Sequence, residues 1–229
     1  YTDAKGGKPV MRVRAKDCVL ASWNMMIPYL VPELPAAQKA ALHKLIKTPL
    51  VYTSVALNNW QAFRRLGIRS VEAPGGYHSS FAVNNPLDIG GYSAARDPAG
   101  PMLIRMVRTP AQPGLPEREQ HKAGRAELLA TPFETFEKEI RSQLGRTLGA
   151  GDFDPARDIA GIAVNRWPHG YSPEYNALSD RGTNEDTPNI TGRKQFGRIA
   201  IANADSGMGA YTDVAIDQAH RAVSELLAL

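Results

Sequence analysis

The stretch GRIAIANADSGMGAYTDVAIDQAHRAV, Gly197 to Val223, decides how this sequence is read. Arg198 to Ala202 is a short run of β-branched and small apolar residues, which predicts a strand. A polar turn with two glycines follows, and from Tyr211 to Leu227 the apolar residues return at helical spacing. Strand, glycine turn and helix is how a dinucleotide-binding unit opens. Yet the third position of Gly207-x-Gly209-x-x-Gly is Thr212, and no second strand follows. No ribose-binding acid can lie in a strand about twenty residues on. As the first unit of a dinucleotide fold the stretch fails.

Its local physics still suits a ligand. A helix start presents free N–H groups and about half a positive charge. Glycine lets another molecule approach the backbone. Asp205 offers an acceptor for sugar or ribityl hydroxyls, and Tyr211 stands at the helix mouth with a flat face. The competing reading of the same residues is a loop that merely turns the chain, with Asp205 as a cap.

Working outward, the chain has 229 residues, 43% hydrophobic and 22% charged, enough for one large domain or two small ones. Its net charge of +4 comes from 27 basic and 23 acidic residues that are not gathered in one tract. With no basic run interleaved with aromatics, nucleic acid is not expected as a partner. The lone cysteine, Cys18, excludes an internal disulfide and sits in an apolar run, where a buried small hydrophobe is expected. No stretch approaches the roughly 20 apolar residues of a membrane-spanning helix, so a soluble protein is expected, with its compartment, periplasmic or cytoplasmic, left open. The sequence starts without Met and without a signal peptide, as if in the middle of a domain. We expect that start to have arisen by truncation, splitting or processing.

Strands are expected at Val10–Arg14 and Asp17–Ala21, followed by a short helix stopped near Pro28. A strong helix should run through PELPAAQKAALHKLIK. The run TPLVYTSVAL reads as a buried strand, and NNWQAFRRLG as a short helix ending at Gly67. IRSVEA, YHSSFAV and MLIRMVRT read as further strands. Two helices then follow, from Glu119 to Leu129 and from Pro132 to about Leu148. Thr131 is expected to cap the second, with Glu134 at capping-box spacing. DIAGIAVNRW is a strand and Ser179–Pro188 a polar loop. Strands and helices without regular alternation predict an α+β fold, a largely antiparallel sheet with helices on one side. The strands near the start and the strand–helix at the end fit a separate, incomplete sheet.

GRIAIANAD with GAYTDVAIDQAHRAV resembles the closing flavin motif of the FAD-dependent amine oxidase superfamily. VRAKDCVLAS, IPYLVPELPAAQKAALHKL and TPLVYTSVALNNWQAF follow that family's order, and NRWPHGYSPEYN resembles its Trp-containing segment near the end. In wording, APGGYHSSF and NRWPHGYSPEYN look closest to bacterial spermidine dehydrogenase-like proteins. The resemblance covers both ends and much of the middle. It implies a remnant of the FAD-binding domain at 1–25, a substrate-binding domain of mixed, largely antiparallel sheet at 26–196, and a return to an incomplete Rossmann-like FAD domain at 197–229.

What the resemblance implies about chemistry is oxidation of a C–N bond by hydride transfer to flavin, giving an imine that water hydrolyses. FAD is then the cofactor and a small amine, spermidine-like, the substrate. The missing partner is an N-terminal FAD-binding half, supplied by the same parent chain or a separate polypeptide. Without it the chain is expected to be inactive. Tyr211 is the implied aromatic wall of the catalytic site and Tyr171 the candidate for the opposite wall, with a packed loop aromatic as the alternative for Tyr171. Ala204, Asp205, Gly209 and Ala210 are the implied cofactor residues. Gly197, Arg198 and Trp167 are read as structural or lining groups, and His78 and His169 as loop histidines beside the pocket or simply structural. Glu72, Asp88 and Glu174 are surface acids rather than site residues.

The family lysine that holds a water near the flavin falls near Tyr52, and no lysine occurs from Thr48 to His121. That departure implies poor oxygen activation, a dehydrogenase rather than an oxidase. No metal site is expected, since no His, Cys or carboxylate spacing closes one. Two other readings stay open: a flavin-dependent desaturase or protoporphyrinogen-oxidase-like protein, and a non-catalytic fragment or binding module.

Overall fold

The structure is a computed structural model that describes residues 12–176 and 187–229. In chain order the first elements are β1 (Cys18–Leu20), α1 (Ile27–Leu30), α2 (Ala36–Leu42), β2 (Thr48–Leu57), α3 (Gln61–Leu66), β3 (Ser70–Glu72), β4 (Ser80–Val83) and β5 (Met102–Arg108). They continue with α4 (Glu117–Ala130), α5 (Phe133–Leu148), α6 (Pro155–Asp158), β6 (Ile159–Tyr171), α7 (Pro188–Gly192), β7 (Ile199–Ile201), α8 (Ala204–Gly207) and α9 (Thr212–Leu227). The chain divides into two compact units, one of Tyr1–Ile46 with Ser172–Leu229 and one of Lys47–Tyr171.

The second unit is a five-stranded sheet in the order β3-β4-β5-β2-β6, every pair antiparallel. Alternation along β2 sends Val51, Thr53, Val55 and Leu57 to one face, where they are buried. Val51, Val55 and Leu57 join Phe81, Ile104 and Met106 there. Helix α5 covers them with Phe136, Ile140, Leu144 and Leu148, four apolar residues at a four-residue spacing along one stripe. Leu128 of α4 and Phe63 of α3 close the same core. The other face of the sheet carries Tyr52, Ser54 and Ala56 of β2 and Leu103, Arg105 and Val107 of β5. Gly67 ends α3 with φ +67°, a left-handed turn that its missing Cβ makes cheap.

In the first unit β1 and β7 form a parallel pair, Cys18 opposite Ile199 and Leu20 opposite Ile201. Both faces of β7 are covered. Ile201 packs with Ile27, Val31, Leu34 and Leu42 of the α1–α2 region. Ala200 and Ala202 meet Ala222 and Leu226 of α9. A parallel strand buried on both faces is the layering of α/β proteins. Gln38 of α2 donates from Nε2 to the carbonyls of Gly192 and Lys194, at 3.1 and 2.6 Å, and so ties α2 to the region of α7.

The α+β class and the antiparallel sheet are as the sequence predicts. Several local expectations are corrected. Arg12–Arg14 is not a strand, and Val10 lies outside the described residues. Pro28 does not stop a helix: it occupies the first turn of α1, where its missing N–H costs nothing. Helix α2 ends at Leu42, because the chain turns at His43–Lys44 and buries Leu45. Thr131 does not cap α5. Its hydroxyl donates back to the Glu127 carbonyl at 2.8 Å, serving the end of α4, and Pro132 takes the cap position. Cys18 is exposed rather than buried, since it lies on one strand of a ladder only two strands wide among the described residues. Most of the expected loop at 179–188 lies outside the described residues, and its last residue, Pro188, instead opens α7. By contact, residues 26–46, 172–176 and 187–196 group with the first unit.

Candidate functional site

Within the first unit the turn between β7 and α9 is built by side-chain amides. Asn203 caps α8: its Oδ1 accepts from the Ser206 N–H at 3.0 Å and from the Ser206 hydroxyl at 3.1 Å. Its Nδ2 donates to the Ser22 carbonyl and to Asn24 Oδ1, at 2.6 and 2.7 Å. Asn24 in turn donates its backbone N–H to Asp205 Oδ2 at 3.2 Å. Arg193 holds the other side, donating to the Ser206 carbonyl at 2.9 Å and to Gln218 Oε1 at 3.1 Å.

This network changes what Asp205 does locally. The residue is 1% exposed and committed to Asn24, and the cap is Asn203. The glycines are also spoken for. A Cβ on Gly207 would sit 2.3 Å from Val214 Cγ1, and one on Gly209 would sit 3.0 Å from Val214 Cγ2. Their small size lets the first turn of α9 fold against the loop. Ala204 and Ala210 are half-buried, and Gly209 is buried. Tyr211 is different: it is the N-cap residue of α9, makes no side-chain cap bond, and is 64% exposed. Among the described residues, the start of α9 therefore has no side-chain cap from its N-cap residue, and an exposed aromatic ring stands beside it.

Within the second unit Tyr171 ends β6 and Tyr52 lies in the middle of β2, next to it in the sheet. Their hydroxyls are hydrogen-bonded to each other. The guanidinium of Arg105 lies over the Tyr52 ring, 5.4 Å from its centroid. The Tyr52 phenol is held above its ordinary value, first by the bond to Tyr171, then by burial; Arg105 opposes the shift. Trp167 is exposed on β6. The Tyr52–Tyr171 pair and Arg105 escape sequence reading because they are far apart in the chain. The usable signal is register: Tyr52 and Arg105 sit at like-facing positions of paired strands, opposite Val107 and Ser54.

The two histidines part company. His78 is fully buried, its Nε2 3.2 Å from Thr53 Oγ1. Its backbone N–H donates to Gln143 Oε1 at 2.9 Å, and its carbonyl accepts from Gln143 Nε2 at 2.8 Å. Burial, reinforced by the Arg108 charge, holds its imidazole down at about 4, against a weaker upward pull from the bond to Gln143. It is a neutral core residue. His169 is half-buried, and burial with the charges of Arg125 and Lys47 lowers it. Asp88 pairs with Arg96 at 2.6 Å, as a surface acid would.

No family model matches the chain, and no curated protein matches it. Solved structures do. Wild-type putrescine oxidase bound to putrescine matches with a TM-score of 0.61 and 13% identity, over 94% of this chain and 43% of that one. The fold is that of part of an amine oxidase. Cyclohexylamine oxidase from Brevibacterium oxydans IH-35A matches with a TM-score of 0.58 and 11% identity, over 94% and 43% of the two chains. The chain thus spans under half the length of these structures. At such identity what they share is the fold. No described helix is long and apolar enough to cross a membrane.

Proposed function

We propose that this chain is part of an FAD-dependent amine oxidoreductase, carrying its substrate-binding domain and the closing strand–helix of its FAD domain. The observation that carries the reading is the fold match to two amine oxidases over nearly the whole chain, joined to the closing motif. The first unit supports it further. Among the described residues its sheet is a parallel pair of three-residue strands, too small to stand alone, and a further segment bearing the phosphate-cradling glycine loop would complete it. We take the substrate to be a small amine. Its spermidine-like character rests on the sequence wording.

The residues present fit such a cofactor in part. Tyr211 offers an exposed ring face to orient a neutral amine, and Tyr171 offers a second aromatic in its own unit. The N–H groups at the start of α9 would stabilise negative charge on the pyrimidine edge. Ala204, Gly209 and Ala210 supply backbone to the same turn. Asp205, enclosed as it is, would act by holding the turn through Asn24 rather than by accepting ligand hydroxyls. When bound, FAD supplies the hydride acceptor. Tyr52, where the family has lysine, offers no cation to activate oxygen, so the enzyme would pass its electrons to another acceptor.

The test is anaerobic mixing of the protein from the full parent reading frame with spermidine, putrescine and a monoamine. Bleaching of a bound flavin by an amine, followed by slow recovery in air, is expected. A parent protein that purifies without flavin would overturn the reading, and rapid reoxidation by air would overturn the dehydrogenase assignment. The 229-residue chain alone should not retain FAD on gel filtration.

A further inference from the structure

On the sheet face away from α5, the ends of β2, β4 and β5 and the loop joining β4 to β5 line an open cavity of about 840 Å³. Small-molecule sites run to roughly 300–1,000 Å³. Its walls are mainly apolar, with Ala56, Ala82, Leu87 and Leu103, and its neutral polar groups include Asn84 and Asn85. The single charged residue among those lining it is Arg105.

Arg105 is held in a particular way. Its guanidinium lies over the Tyr52 ring, 5.4 Å from the centroid, which limits where the fork can swing. Among the described residues it has no carboxylate partner. The acids nearest in the loop are engaged: Asp88 with Arg96 at 2.6 Å and with the Ala94 N–H at 2.9 Å, and Asp97 with the Ala99 N–H at 2.9 Å. A second cation, Arg69, donates to Asn85 Oδ1 at 3.1 Å, on the cavity wall. The cavity therefore has a mixed lining, more apolar than polar, and Arg105 supplies the one charge among its lining residues. Its planar fork of five donors matches a carboxylate, and an ammonium placed there would be repelled.

We propose that this cavity binds a small molecule with an apolar body and a terminal carboxylate, and that Arg105 holds the carboxylate. The inference rests on the second unit alone and does not depend on the flavin reading.

The test titrates the chain, by calorimetry at low salt, with hexanoate, hexylamine and 1-hexanol, three probes of equal length and different charge. Hexanoate should bind about tenfold or more tighter than hexylamine, the size of one charge-assisted contact. Methyl resonances of Ala82 and Leu103 should shift with it. Arg105→Gln should erase the preference, and Arg105→Lys should keep part of it. Equal or tighter binding of hexylamine, shifts confined to other residues, or hexanoate binding unchanged by Arg105→Gln would each overturn the proposal, as would the absence of hexanoate binding. Should Arg105→Gln fail to fold, the wild-type probe series and Arg105→Lys still decide.

Discussion

Lowering the pH should strip stability from this fold through one residue, His78. In the folded chain its imidazole is held at about 4, whereas the unfolded chain titrates at the ordinary 6.5. Above pH 6.5 both states are neutral and the group contributes nothing to pH dependence. As pH falls below 6.5 the unfolded chain takes up a proton that the folded chain refuses, so stability drops. The loss grows by about 1.4 kcal/mol per pH unit through the window and levels off below about pH 4. From these two values it reaches roughly 2 kcal/mol at pH 5 and roughly 3 kcal/mol at pH 4. Asp158, held at about 2 chiefly by its bond to Arg157, loses its contribution only as pH falls below the ordinary carboxylate value of 3.8. The two windows barely overlap. The assay is urea unfolding of wild type and His78→Gln at pH 7, 6, 5 and 4.5, chosen so that Gln can still reach Thr53. The variant should start less stable and then lose less, and the gap between the curves should close by about 2 kcal/mol from pH 7 to pH 5. Parallel pH profiles would refute the reasoning, because they would mean that His78 charges in the folded state as easily as in the unfolded one.

Other outcomes follow from packing and hydrogen bonding. Leu144→Ala, at the centre of the α5 stripe, should cost about 3 kcal/mol, read as a lower urea midpoint at unchanged slope. Gly207→Ala should destabilise the first unit, and Val214→Ala in the same chain should recover much of that loss, giving a measurable coupling in a double-mutant cycle. Independent effects would show that the 2.3 Å approach is relieved some other way. Ultraviolet titration should find a late-ionising tyrosine in the wild type that moves to lower pH in Tyr171→Phe, since the bond to Tyr171 is the first cause of the raised Tyr52 phenol.

The sequence makes the second unit's sheet legible because its strands alternate cleanly. In TPLVYTSVAL the buried positions are every second residue from Val51 to Leu57, and Gly67 marks the end of α3 by its own backbone chemistry. Short helices leave no such trace. Helices α6, α7 and α8 have four or five residues each, barely a turn, so no period can show. Thr131 misleads because a hydroxyl between two helices can bond backward as well as forward, and tertiary packing chooses. The composition of the first unit, from two stretches far apart in the chain, is invisible until Gln38 meets Gly192 and Asn24 meets Asp205. Tyr211 and Tyr171, each in its own unit, are candidates by resemblance alone. The burial of Asp205 is not legible, because a carboxylate beside glycines reads the same in sequence whether it faces a ligand or an asparagine.

Where α9 meets β7 the touching groups are chiefly methyls, from Ala200, Ala202 and Ala222. How deep the helix seats is therefore set by single carbon atoms. Ala222 lies eleven residues from Tyr211, about 16 Å along a straight helix. Valine at that position would act as a shim beneath a stiff rod and swing the far end outward. The setting of the exposed Tyr211 ring is thus tunable from Ala222, a residue buried far from it along the same helix.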